Sequence, residues 1–147
     1  VVDFIQQRLR ELDLNPQYSV PPVLLKLSNI QHLHTPIYTQ IPRQLTPLEV
    51  LSVMHPTPAV AGTPRELACS EIQKYESFER SLYAAPLGWI DHQGNSEFIV
   101  GIRSALIDGR HARLFAGAGI VSGSEPEQEA AEIQLKLQAL GQAICGE

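Results

Sequence analysis

Apolar side chains recur at helical spacing from the first residue. Val1, Val2, Ile5, Leu9 and Leu12 share one stripe, which predicts an opening amphipathic helix. Neither a Met nor a capping residue stands ahead of it, so the chain is expected to begin inside a helix of a longer polypeptide. Residues 15–22 are rich in turn formers, residues 23–30 read as a mostly apolar strand, and residues 33–41 form a second extended segment. Thr46-Pro47-Leu48-Glu49 and Thr63-Pro64-Arg65-Glu66 each set a capping Thr before Pro, with Glu three residues on, and each predicts a helix start. The intervening loop, residues 55–62, is too rich in Pro and small residues for regular structure. Strands are expected over 82–91, 97–107 and 111–118, with turns at Gln93-Gly94-Asn95 and Asp108-Gly109, as an antiparallel meander. A last helix over 126–143 starts at Ser124 and Glu127, spaced as a capping box. Helices and antiparallel strands in separate blocks give the class α+β, an antiparallel sheet with packed helices.

Composition narrows the function. A chain of 147 residues with 44% hydrophobic content can bury one core, and residues 1–147 read as one domain or part of one. Net charge is −5 with the acidic residues dispersed, so neither nucleic acid nor an anionic membrane is an expected partner. Cys69 and Cys145 lie far apart without metal or redox spacing, which fits a reducing compartment. No apolar run approaches the roughly 20 residues of a membrane helix, and no signal-peptide pattern opens the chain. The expectation is a soluble cytoplasmic protein, or one of the plastid stroma if the source is a plant.

On the last helix Glu129, Glu132 and Lys136 fall at i, i+3 and i+7 and make one stripe. It borders the apolar Ile133, Leu137, Leu140 and Ile144, while Gln128, Gln134, Gln138 and Gln142 take the opposite side. A solvated Glu-to-Lys ladder is the ordinary reading of such a triplet. The Gln-rich face already supplies the solvent side, which turns attention to a hard divalent cation; magnesium takes one or two carboxylates and leaves its other positions to water or substrate. Arg103 is expected in phase with Ile99, Gly101, Ala105 and Ile107 on one strand face, either as a snorkelling edge residue or as a bidentate grip on a carboxylate. Gly117-Ala118-Gly119 lets backbone N–H groups approach an anion, or is simply a bend. His32 and His34 share a strand face, but no further ligand cluster accompanies them and a zinc site is rejected. From the residues alone the site is a pocket for an anionic organic ligand, with carboxylates for magnesium.

Taken in order, Gln31-His32-Leu33, His55-Pro56-Thr57-Pro58-Ala59-Val60, Tyr83-Ala84-Ala85-Pro86-Leu87-Gly88-Trp89, Ile102-Arg103-Ser104, Gly117-Ala118-Gly119-Ile120 and the run from Ser124 through Glu129 to Glu132 resemble the C-terminal motifs of chorismate-utilising enzymes. The resemblance covers the chain from Pro22 onward. It implies an α+β fold acting on chorismate with Mg2+, of which this chain is the C-terminal part and the N-terminal half of the same polypeptide the missing partner. Glu132 resembles a direct magnesium ligand and Glu129 its acidic neighbour. Tyr83 and Arg103 resemble residues that grip the enolpyruvyl carboxylate, and Lys136 with Gly117, Ala118 and Gly119 looks like a second carboxylate contact. His32 resembles a histidine at the reacting face of the ring and is the catalytic candidate.

Ala59, followed by Val60, is similar to the isochorismate synthase form of its loop, where salicylate synthases and amine-incorporating members usually carry Thr. The resemblance therefore implies an isochorismate synthase, an isomerase serving quinone, salicylate or siderophore precursors. Alternatives are a salicylate synthase, an anthranilate or aminodeoxychorismate synthase component, or a catalytically silent chorismate-binding module. The family's activating lysine, its acid glutamate and a further magnesium-binding glutamate lie upstream, and no residue here matches them.

Overall fold

Leu9 and Leu14 are buried together with Val50, and Ile5, Leu12, Ile37, Leu45 and Met54 pack around them. This is what the opening apolar stripe does: it places one face of helix α1 (Val2–Arg10) against helix α2 (Pro47–Met54). Full burial of such aliphatic side chains is worth about 1.5–3 kcal/mol each. The computed structural model describes residues 1–26 and 31–146. The chain divides into two compact units, Val1–Pro58 and Ala59–Glu147.

In the first unit, strand β1 (Gln17–Tyr18) pairs antiparallel with β4 (Ile37–Tyr38), and β2 (Val23–Lys26) with β3 (Gln31–His34). The strand expected over 23–30 is thus present as far as Lys26, and its remaining positions lie outside the described residues. The second extended segment is two short strands instead of one. Thr46 caps α2 as expected. Its hydroxyl accepts from the Glu49 N–H at 3.3 Å, and the Glu49 carboxylate accepts from the Thr46 N–H at 2.7 Å.

The Pro-rich loop is regular in part, contrary to expectation. Residues of the Pro-rich loop make a single helical turn, α3 (Pro58–Ala61), because Pro58 presets the backbone angle of a first helical position and Ala59, Val60 and Ala61 follow without hindrance. Helix α4 (Arg65–Tyr75) begins one residue later than expected, with Pro64 at its cap and no side-chain hydrogen bond from Thr63.

The expected three-stranded meander is instead two hairpins among the described residues. Strand β5 (Pro86–Ile90) pairs with β6 (Ser96–Val100), and β7 (Ser104–Asp108) with β8 (His111–Phe115). The turns fall where expected. Asp91 accepts from the N–H groups of Gln93 and Asn95 at 2.8 and 2.9 Å, and Gly94 and Gly109 take φ of 85° and 58°.

What divides the middle strand is Gly101, which is buried. Its N–H donates to the Ala85 carbonyl at 2.8 Å, and its carbonyl accepts from the Ala84 N–H at 2.9 Å. A Cβ there would lie 2.8 Å from the Leu82 carbonyl oxygen, so glycine is required for the close approach. Residues 82–85 accordingly form a turn, with Ala84 at φ 61°, and β5 starts only at Pro86.

The chain ends on helix α5 (Pro126–Cys145), closed by Gly146 in the left-handed conformation. Glu125 occupies its cap without a side-chain bond. Ser124 accepts from the Val121 N–H at 3.1 Å, so the expected capping box does not form. Glu129, Ile133, Lys136, Leu137 and Leu140 are half-buried and the four glutamines exposed, which reproduces the two faces read from the sequence. Ile144 is the exception, exposed near the helix end.

Candidate functional site

Tyr83 is the centre of a side-chain cluster in the second unit. The turn that carries it is held by a hydrogen bond from its own N–H to the Arg80 carbonyl at 2.7 Å. Its ring stacks on Phe115 of β8 with centroids 5.4 Å apart, and Phe78 closes the aromatic group at 6.4 Å from Tyr83 and 5.7 Å from Phe115. The phenol then reaches Gly117, where a Cβ would come within 2.6 Å of the Tyr83 hydroxyl oxygen. Gly117 is therefore needed for space. Burial pushes the Tyr83 phenol up from its ordinary value, opposed by the Arg80 cation and reinforced by the Glu76 carboxylate.

From Gly117 the cluster continues onto α5. The Lys136 ammonium donates to the Gly117 carbonyl at 2.9 Å and pairs with the Glu132 carboxylate at 2.5 Å. Tyr83, Gly117, Lys136 and Glu132 thus form one contiguous group of a hydroxyl, a backbone carbonyl, a cation and an anion. Glu129 sits half-buried one turn earlier on the same stripe, while the Glu132 side chain remains 55% exposed.

Ala118 is half-buried beside Gly117, and Gly119 is exposed with open space where a side chain would be. Ala59 is exposed at the start of the second unit. Val60 is half-buried, with its carbonyl accepting from Arg80 at 3.3 Å.

Arg103 departs from its expected placement. It sits in the break between β6 and β7 at φ 48° and exposed, so no continuous strand phase sets its direction. Among the described residues it makes no ion pair, which leaves its guanidinium open to a ligand. His32 belongs to the first unit, exposed on β3 opposite Leu25.

Among the described residues no three His, Cys, Asp or Glu side chains gather as a cation cage. Glu129 and Glu132 are a carboxylate pair with an exposed side. That donor set fits magnesium in its common mode, one or two carboxylates with the remaining positions left to water and ligand oxygens.

Sequence reasoning did not single out Glu76 and Arg80. Arg80 donates to both oxygens of Glu76, at 2.7 and 2.5 Å, and its guanidinium lies 5.6 Å from the Tyr83 ring centre. The i, i+4 spacing of the pair resembles a helical surface bridge, yet α4 stops at Tyr75. The usable signal was the spacing Phe78, Arg80, Tyr83, a cation set between aromatics ahead of a recognised motif.

A family model described as chorismate binding enzyme matches residues 1–145. The chain belongs to the chorismate-binding enzyme family. Within it, the isochorismate synthase MenF of Bacillus subtilis is 49% identical over 126 residues, 86% of this chain and 27% of that protein. The salicylate biosynthesis isochorismate synthase of Pseudomonas aeruginosa is 42% identical over 144 residues, 98% of this chain and 30% of that protein. A crystal structure from Bacillus anthracis, named as the 2,3-dihydroxybenzoate-specific isochorismate synthase DhbC, superposes with a TM-score of 0.87 at 37% identity, over 97% of this chain and 38% of that one. The chain therefore spans about a third or less of the curated relatives it matches, and the α+β class stands.

Proposed function

We propose that this chain is the chorismate-binding C-terminal portion of an isochorismate synthase, an isomerase that converts chorismate to isochorismate. The observation that carries the reading is the convergence of Tyr83, Gly117, Lys136 and Glu132 in one place. Their chemistry suits a ligand with carboxylates beside a hard cation. The family match and the identities to isochorismate synthases give the ligand its class.

The reaction adds water at C2 while hydroxide leaves C4, so an acid and a base on opposite faces of the ring are required. This chain's residues bind and orient. The Tyr83 phenol, whose pKa burial pushes up, donates to a substrate carboxylate. Arg103 meets the same carboxylate with a planar fork, and Lys136 with the backbone of Gly117, Ala118 and Gly119 holds the other. Glu132, with Glu129 beside it, holds magnesium, which when bound neutralises substrate carboxylate charge. By the resemblance His32 is the catalytic candidate, and Ala59 and Val60 line the loop that separates water addition from pyruvate elimination. The general base and acid come from the rest of the polypeptide.

The whole protein, given chorismate and magnesium, should yield isochorismate by NMR of the product. Pyruvate with an aromatic acid as the sole products would make it a different member of the family. Absence of both turnover and chorismate binding would leave a family member with another ligand.

A further inference from the structure

We propose that Arg80 is a positioning residue for this site, one that ties the Val60 carbonyl, and with it the loop carrying Ala59, to the ring of Tyr83. The inference rests on the reading of the site as a chorismate pocket, because only then are Tyr83 and the Ala59 loop both substrate-facing.

Arg80 makes three hydrogen bonds and one ring contact. One edge is spent on both oxygens of Glu76, a third donor reaches the Val60 carbonyl 20 residues upstream, and the guanidinium carbon lies 5.6 Å from the Tyr83 ring centre. The contact to Val60 joins segments remote in sequence, so it is not a by-product of helix geometry. The ion pair is about three-quarters shielded, with side-chain exposures of 28% and 27%, unlike the more exposed pair of Lys74 with Glu71.

Held in this way, Arg80 commits three of its five N–H donors to the protein, and it fixes the Tyr83 ring and the Val60 carbonyl. Phe115 stacks on Tyr83, and Gly117 receives the phenol, so movement of the ring would shift the hydroxyl against the backbone that Lys136 also holds. Lysine could not replace this arginine, because a point charge has neither the fork for Glu76 nor the flat face for the ring.

The test is a double-mutant cycle in the whole protein, with Arg80→Gln and Tyr83→Leu, and with Arg80→Lys and Glu76→Gln as companions. Arg80→Gln should raise the KM for chorismate about tenfold with a smaller loss in kcat, and Arg80→Lys should not restore it. In the Tyr83→Leu background the same change should cost less than about twofold, since the ring it positions is gone.

A second readout needs no turnover. Tyrosinate absorbance, corrected with the Tyr83→Leu protein, should titrate higher in Arg80→Gln and lower in Glu76→Gln, because the cation favours the phenolate and the carboxylate opposes it. Independent fold-changes in the cycle, or a Tyr83 titration unmoved by both variants, would reduce Arg80 to a structural ion pair. Opposite titration shifts in a protein that neither binds nor converts chorismate would uphold the clamp and discard the chorismate reading. If Arg80→Gln fails to fold, Glu76→Gln carries both readouts, since it frees the same guanidinium.

Discussion

Glu132 faces a choice between two roles that one substitution separates. As a helical ion pair with Lys136 and a 55% exposed side chain, it contributes only about 0.3–0.5 kcal/mol. As a magnesium ligand it contributes charge that a neutral amide cannot. In the whole protein, Glu132→Gln should lower magnesium affinity and turnover by at least the ~10–100-fold that losing an outer-shell partner costs. Gln134→Ala, on the exposed face, should change neither. Full activity at ordinary magnesium, with a slightly lower melting temperature, would return Glu132 to the solvated ladder. Ala59→Thr tests the neighbouring choice, since a hydroxyl added to the loop should divert part of the product towards pyruvate; isochorismate alone at an undiminished rate would remove Ala59 as a determinant. Tyr83 adds a pH dependence. Its folded pKa is raised by burial, so the stability it contributes is present below the unfolded value near 10 and lost as pH rises through the folded value. Urea unfolding between about pH 9 and pH 11 should show a declining stability that Tyr83→Phe flattens.

At the scale of elements, caps that look alike in sequence differ in space. Thr46 completes its capping box with Glu49, whereas Thr63 and Ser124, at the same spacing from a Glu, do not cap their helices. Thr46→Ala should therefore cost about 1 kcal/mol, seen in a denaturant midpoint, and Ser124→Ala should cost α5 less because its hydroxyl serves the Val121 N–H instead. The Glu49 carboxyl is held below its ordinary 4.5 by the Thr46 hydroxyl first and the Thr46 N–H second. Its contribution is thus present above pH 4.5 and lost as pH falls through the folded value, and Thr46→Ala should weaken that acid dependence. The division of the expected 97–107 strand has a similar origin. Alternation carries no record of Gly101 being pinned to residues 84 and 85, and so the phase assigned to Arg103 did not survive.

Across the whole molecule the surface is the main peculiarity. The chain exposes 11414 Å², whereas even two independent globules of the sizes of its two units would expose only about 9,000 Å². Leu24, Leu33, Trp89, Ile99, Leu106 and Ile107 are among the large apolar side chains left in solvent on the two-stranded sheets, whose strands have open edges among the described residues. The chain on its own should bind a hydrophobic dye strongly and should not convert chorismate, since no acid and base pair is assigned within it; weak dye binding by a stable monomer, or magnesium-dependent turnover, would contradict this. Much of the fold could be read in advance. The apolar stripes of α1 and α5, the turns at Gly94 and Gly109 and the box at Thr46 are local, set by spacing and by backbone angles that neighbours in sequence impose. The ordered motifs along the chain likewise identified the family before any coordinate. What tertiary structure alone decided is which residues meet: Tyr83 against Gly117, Lys136 on the Gly117 carbonyl and Arg80 on Val60 join positions 19 to 34 residues apart. Such contacts depend on where segments remote in sequence cross, and periodicity within a segment contains no measure of that distance.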